Sequence, residues 1–291
     1  MKTDSTGKIS FLEDEREILY LASLAPSGHN TEHWFVKYVE HWHWIIGNDK
    51  SKWLPAIDPT QREIILSIGT FLQNLEYAAN NLGYDCQFNL LATSNQDENI
   101  MEVKLVKSGN APKYDIEKIK QRRTVRSNYL SDMLKKEDAD YLMKEETDFI
   151  HFIPNTTKEY NWICEQTIEA NKVQFYRDDA QKELADWIRF SNKDAEQYRD
   201  GLTTASMEIV GISAWVLRNF YGKSNVMKKD FREANIDKVK KQVSQSAGWL
   251  LITSKDKNAQ PIHQHKCPCS IYIADRLFKR LSPTRFTPKT F

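Results

Sequence analysis

Two short stretches of this chain hold residues whose types and spacing could do chemistry. The first is Leu24-Ala25-Pro26-Ser27-Gly28-His29-Asn30-Thr31-Glu32-His33-Trp34. Small and amide-bearing residues follow one another there, so backbone groups can approach a flat ligand with little side chain in between. The hydroxyl of Ser27 and the amide of Asn30 add hydrogen-bonding groups beside Pro26 and Gly28. A plainer reading of the same residues is an ordinary turn from a helix into a strand. The second stretch is Gln121-Arg122-Arg123-Thr124-Val125-Arg126-Ser127. Arg122, Arg123 and Arg126 carry planar forks of donors that grip phosphate, often bidentately, and Thr124 places a hydroxyl beside them. Its plainer reading is a solvated basic patch. A third group, His263, His265, Cys267 and Cys269, includes soft metal-ligand types. Its H-x-H-x-C-x-C spacing is tighter than a zinc ribbon uses and Pro268 stiffens it, so no metal is expected and a polar tail is the preferred reading.

The elements that must position these groups follow from periodicity. Residues 12–25 read as an amphipathic helix, with Ile18, Leu19, Leu21 and Ala22 near helical spacing, stopped by Pro26-Ser27-Gly28. Trp34–Val39 and His41–Ile46 are rich in aromatic and β-branched residues and predict a hairpin, closed by Gly47-Asn48-Asp49. Asp58-Pro59 marks a loop. Residues 61–82 form the clearest helix, ending where Gly83 supplies a left-handed residue. Its interior Gly69 is read as a close-packing position. Strands are expected at Asp85–Ala92 and Ile100–Val106, and Ser108-Gly109-Asn110-Ala111-Pro112 is the best linker candidate. Beyond it, helix is expected from Asp115, over 130–147, over most of 156–200, over 203–220 with an interruption at Gly211, and over 231–245. Strands are expected at Phe149–Ile153 and Gly248–Ser254. In the 156–200 region Trp162, Ile163, Ile168, Val173, Phe175, Leu184, Trp187, Ile188 and Phe190 are expected to face inward. The plan divides into residues 1–110 and 111–291, and the hairpin near residue 40 favours an α+β fold over a purely parallel sheet.

Bulk composition narrows the partners. Of 291 residues, 41 are Lys or Arg and 40 are Asp or Glu, a net charge of +1 that gives no electrostatic case for nucleic acid. No apolar run is long enough for a membrane span, and the polar start of the chain lacks a signal-peptide core, so no membrane partner and a cytoplasmic location are expected. Four cysteines are too few for a disulfide scaffold. Cys86 and Cys164 read as buried thiols.

Taken together, the motifs resemble those of the FMN-dependent nitroreductase family. Residues 25–34 resemble its APSxxNxQPW loop, with Glu32 and His33 departing from the usual Gln-Pro. Arg122-Arg123-Thr124-Val125-Arg126 resembles its RRSxR segment. Ser67 through Gly83 resembles its central GxxLQNLxLAAxxLG helix, the most specific match of the three. The order is inverted, because in an ordinary nitroreductase the arginines precede the loop. Residues 1–24 hold no arginine segment, and 130–155 hold no second loop, so each half carries the part the other lacks. That arrangement resembles the Acg-type, fused-repeat FMN-binding oxidoreductases. Trp187-Ile188-Arg189-Phe190 and Tyr198-Arg199-Asp200-Gly201-Leu202 also resemble that branch, in which the region after them closes over the flavin, making 187–220 a candidate lid. The resemblance spans about residues 12–254. After it, the Leu- and Ala-rich core helix of the family is replaced by an atypical C-terminus.

The resemblance implies two fused repeats, each a mainly antiparallel sheet flanked by helices, with one FMN site in a pseudo-dimeric chain that needs no second copy. It implies that Arg122 and Arg123, with Thr124, hold the phosphate and ribityl chain. Pro26, Ser27, Gly28 and Asn30 would line the ring edge, and Arg126 would stand near its pyrimidine end. NAD(P)H is the implied co-substrate and a nitroaromatic or quinone-type small molecule the acceptor. The alternative is a protein that sequesters FMN with little turnover.

Overall fold

The computed structural model describes residues 11–126, 129–130, 132–143 and 150–252. The described chain is α+β and divides into two compact units, 11–123 and 124–252. In unit one, α1 (Glu13–Ser23) leads through a loop to β1 (Trp34–Glu40) and β2 (His43–Asn48). The long α2 (Arg62–Asn81), β3 (Tyr84–Leu90), β4 (Asn99–Lys107) and the short α3 (Ile116–Gln121) come next. The strands form one antiparallel sheet in the order β1-β2-β4-β3.

The layering follows from where the apolar side chains point. Trp44 and Ile46 of β2 and Ile100 and Val103 of β4 project from one face of the sheet into a core shared with α1 and α2. In α2, burial reaches well around the helix and includes Gly69, Gln73 and Asn74. The Asn74 amide donates to the Leu21 carbonyl at 3.2 Å, tying α2 to α1. Gly83 has φ 86°, the left-handed residue expected after α2, and its N–H reaches the Asn80 carbonyl at 3.0 Å.

Glu15 is the polar anchor of this unit. Its fully buried carboxylate accepts from Leu12 N and Trp42 N, both at 2.8 Å, and lies 3.0 Å from His41 Nδ1. One side chain therefore caps the first turn of α1 and holds the β1–β2 turn, where Trp42 takes a positive φ of 64°.

Unit one does not stop at the linker candidate 108–112. Tyr114 lies against Tyr77 of α2 with ring centroids 4.3 Å apart, and Ile119 of α3 is buried in the same core. This packing carries the boundary to Arg123/Thr124 rather than to residue 110.

Unit two contains α4 (Lys136–Met143), β5 (Ile150–Pro154), α5 (Lys158–Tyr176), α6 (Asp178–Trp187) and α7 (Asn192–Tyr198). It continues with α8 (Gly211–Phe220), α9 (Lys223–Val226), α10 (Lys229–Val243) and β6 (Gly248–Ile252). Strands β5 and β6 pair antiparallel. A small core of Tyr160, Cys164 and Val243 joins α5 to α10, and a second gathers Ala185, Ile188, Leu202 and Val226. Two expectations need correction. Trp162 and Val173 face solvent rather than the core, because α5 buries a narrow stripe around Tyr160 and Cys164. The helix expected over 203–220 begins only at Gly211, since 203–208 close a turn in which Ser206 N bonds Thr203 Oγ1 at 3.0 Å. No helix among the described residues is long and apolar enough to cross a membrane. The tail holding His263, His265, Cys267 and Cys269 lies outside the described residues.

Candidate functional site

The loop after α1 is built from its own backbone. Leu24 N and Ala25 N close the end of α1 on the Leu21 and Ala22 carbonyls. Pro26 then prevents further helix. A single 3₁₀ turn, Gly28–Asn30, comes after it. The Ser27 hydroxyl oxygen accepts from Glu32 N at 3.0 Å, which leaves its proton to donate elsewhere. His29, Asn30 and Glu32 hold φ of 47°, 55° and 51°. Three non-glycine residues in the left-handed region within one short loop store on the order of 1 kcal/mol or more each. Surrounding structure must therefore hold them in place.

Helix α2 supplies that hold. Thr70 Oγ1 donates toward the Pro26 carbonyl at 3.1 Å and the Ser67 carbonyl at 2.7 Å. His33, fully buried, places Nε2 3.0 Å from the Ile64 carbonyl and Nδ1 3.1 Å from Thr31 Oγ1. A carbonyl can only accept, so Nε2 carries the proton and Nδ1 accepts from the Thr31 hydroxyl. Burial, aided by the nearby Lys52 cation, pushes the pKa of His33 down to about 4. His33 is thus a neutral histidine pinning the loop to α2.

Gly28 sits against the first turn of α2. A Cβ there would stand 2.8 Å from Glu63 Oε1 and 3.2 Å from Leu54 Cδ1. Burial beside Gly28, with the Asp58 carboxylate close by, raises the pKa of Glu63 above the ordinary carboxylate value. Asp58 itself accepts from Arg62 N at 2.9 Å and Ile64 N at 3.0 Å, fixing the start of α2.

The arginine segment divides between the units. Arg122 and Arg123 belong to unit one, Thr124 and Arg126 to unit two. Arg122 ends α3, and its Nη2 donates to the Leu24 carbonyl at 3.2 Å across 98 residues of sequence. Burial lowers its pKa, yet a guanidinium stays charged at any physiological pH. Arg122 therefore meets the chain two residues ahead of Pro26. Arg123 and Thr124 are exposed. In unit two the Arg126 backbone is clamped, its N–H to Glu208 Oε2 and its carbonyl to Gln242 Nε2, both at 2.8 Å. The cation of Arg126 helps to lower the pKa of Lys238, after burial as the main cause.

The Trp187–Phe190 and Tyr198–Leu202 stretches knot together within unit two. Arg189 N bonds the Leu202 carbonyl at 2.8 Å and Leu202 N the Trp187 carbonyl at 2.7 Å. The Arg189 guanidinium meets Asp200 Oδ1 at 2.6 Å, with the Tyr198 ring 4.7 Å away and the Trp187 ring 5.3 Å away. A Cβ on Gly201, at φ 79°, would lie 2.5 Å from the Trp187 carbonyl, so the knot requires glycine.

Sequence reasoning missed the part played by Glu63, His33 and Thr70. Thr70 lies inside the central helix motif, and a hydroxyl amid apolar residues was the available signal. Glu63 and His33 gave none, since only the tertiary fold brings α2 against the loop. A comparison with models of known protein families returns no match, and neither does a comparison with curated proteins. No group of His, Cys, Asp and Glu able to hold a metal occurs among the described residues.

Proposed function

We propose that this chain is an FMN-binding oxidoreductase of nitroreductase-like, fused-repeat type. It passes hydride from NAD(P)H through the flavin to a small nitroaromatic or quinone-type acceptor. The observation that carries the reading is the bond from Arg122 to the Leu24 carbonyl, which seats the start of the arginine segment beside the small-residue loop. The loop's chemistry fits a flavin. Its backbone is braced against α2, and the Ser27 hydroxyl keeps a proton to donate.

When bound, FMN supplies the two-electron chemistry. The residues then have distinct tasks. Arg122, Arg123 and Thr124 hold the phosphate and ribityl chain through charge-assisted bonds worth about 1.5–3 kcal/mol each. Pro26, Ser27, Gly28 and Asn30 bind the ring edge.

The first test is the visible spectrum of the purified protein with its flavin-to-chain ratio. One flavin per chain, bleached rapidly by NAD(P)H in stopped flow, supports the reading. Bound flavin that resists bleaching would leave sequestration instead. Replacing Arg122 and Arg123 by Ala should weaken FMN binding by about 3 kcal/mol or more. Arg123→Ala alone separates ligand loss from loss of the Leu24 contact. A colourless protein that takes up no added FMN ends the proposal.

A further inference from the structure

Helix α8 wears its apolar stripe on the outside. Ile212, Trp215, Val216, Asn219 and Phe220 take the i, i+3, i+4, i+7, i+8 spacing that normally marks a helix face turned to a core. Here Ile212 is 82% exposed, Trp215 57% and Phe220 66%, with Val210 just ahead of the helix at 77%, while the opposite face buries Ala214. Trp215 and Phe220 already touch edge to face at 5.3 Å, so part of the surface is ordered before anything meets it. With large side chains presenting on the order of 150–250 Å2 each, this flank offers about 500 Å2 of apolar surface. Patches of that size on a single chain mark contact sites.

We infer that this face is where two copies of the chain pair, α8 against α8 across a two-fold axis. Two such faces remove up to about 1,000 Å2 from water, the lower bound for a specific interface and the range of weaker pairings. A two-fold axis sets a patch against a copy of itself, so an excess of one sign of charge on it would oppose pairing. Between Val210 and Tyr221 the only charged residue is Arg218, and it turns to bond Thr204 Oγ1 at 3.1 Å. The polar member of the stripe, Asn219, is satisfied within the helix by the Trp215 carbonyl at 2.7 Å. The face is neutral and therefore self-compatible. A lipid surface would need free basic residues at its border. Of the three lysines that directly follow the helix, Lys223 is paired with Asp186 at 2.6 Å and Lys229 with Glu233 at 3.5 Å, which leaves Lys228 alone to meet a lipid headgroup. Pairing through α8 does not depend on flavin binding, and it supplies a reason to associate that the fused-repeat expectation of a monomer leaves out.

The test is the solution mass of the full chain by light scattering and sedimentation equilibrium, without added flavin. Wild type should run at twice the chain mass at micromolar concentration. Ile212→Glu, which alters a residue with few internal contacts, should shift it to one chain mass and raise the dissociation constant at least about tenfold. Trp162→Glu, on the exposed side of α5, should leave the dimer intact. Circular dichroism confirms that both variants fold. A wild type that stays at one chain mass overturns the inference. So does a dimer that survives Ile212→Glu. Sedimentation of a single-chain wild type with phosphatidylserine vesicles would assign the face to lipid. Quenching of Trp215 by FMN in a single-chain species would assign it to covering a ligand. Either result refutes self-pairing.

Discussion

The pinning of the loop by His33 predicts a specific loss of stability in acid. In the folded chain its pKa lies at about 4, against 6.5 for the free side chain, chiefly through burial. Above pH 6.5 the ring is neutral in both states and the contribution is fully present. As pH falls below 6.5 the unfolded chain takes up a proton that the folded chain refuses, so stability drops until about pH 4. At about 1.4 kcal/mol per pKa unit, the full loss is on the order of 3 kcal/mol. That is a large share of the roughly 5–15 kcal/mol by which domains are stable. His33→Gln keeps a donor for the Ile64 carbonyl and an acceptor for Thr31 but does not titrate. Urea unfolding followed by tryptophan fluorescence at steps between pH 4 and 7.5 should show the two proteins diverging as pH falls. Wild type should lose about 3 kcal/mol more than the variant. Parallel pH curves for the two proteins would refute the buried neutral histidine, and with it the account of how the loop is fixed.

The same contacts yield three further expected outcomes. Glu15→Ala leaves Leu12 N and Trp42 N without their carboxylate in a buried setting and should destabilise unit one by about 3 kcal/mol in urea unfolding. Arg189→Ala removes the guanidinium from the Asp200 carboxylate and from the Asp200 carbonyl in the knot and should cost about 3 kcal/mol by the same assay, whereas Arg189→Lys, which keeps charge but loses the fork, should fall in between. Thr70→Val removes the hydroxyl beneath Pro26 and should lower FMN affinity several-fold while costing only about 1 kcal/mol of stability by urea unfolding.

How much of this was legible depended on whether the determining contact was local. The α1, hairpin and α2 elements of unit one emerged from periodicity because each buries one regular face against one core, and Gly83 announced the end of α2. The unit boundary was not legible. Ser108-Gly109-Asn110-Ala111-Pro112 has linker composition, but whether a linker separates bodies depends on where the residues beyond it pack. Here Tyr114 and Ile119 fold back onto α2. In unit two, apolar periodicity misled at Trp162 and Val173 on α5, which face solvent. The pattern identifies a face that would gain from burial, but it does not say whether the same chain supplies the cover.

The candidate site divides along the same line. Pro26, Ser27, Gly28 and Asn30 stand out as candidates in the sequence because small size and hydrogen-bonding capacity are properties of the residues themselves. What makes them usable is remote. A loop with left-handed His29, Asn30 and Glu32 would relax if released, and the groups that prevent this are Thr70, the Ile64 carbonyl reached through His33, and Glu32 N closing on Ser27. Each anchor but the last comes from α2. The helix with the most specific motif is therefore the platform that shapes the loop, and its burial is what allows it to hold strain without yielding. Arg122 adds the second fixed point, reaching the Leu24 carbonyl from the end of α3. If the proposed flavin binds there, a loop restrained at both ends would lose little further freedom as the rigid ring settles against it, and affinity would depend on the contacts made rather than on the ordering required.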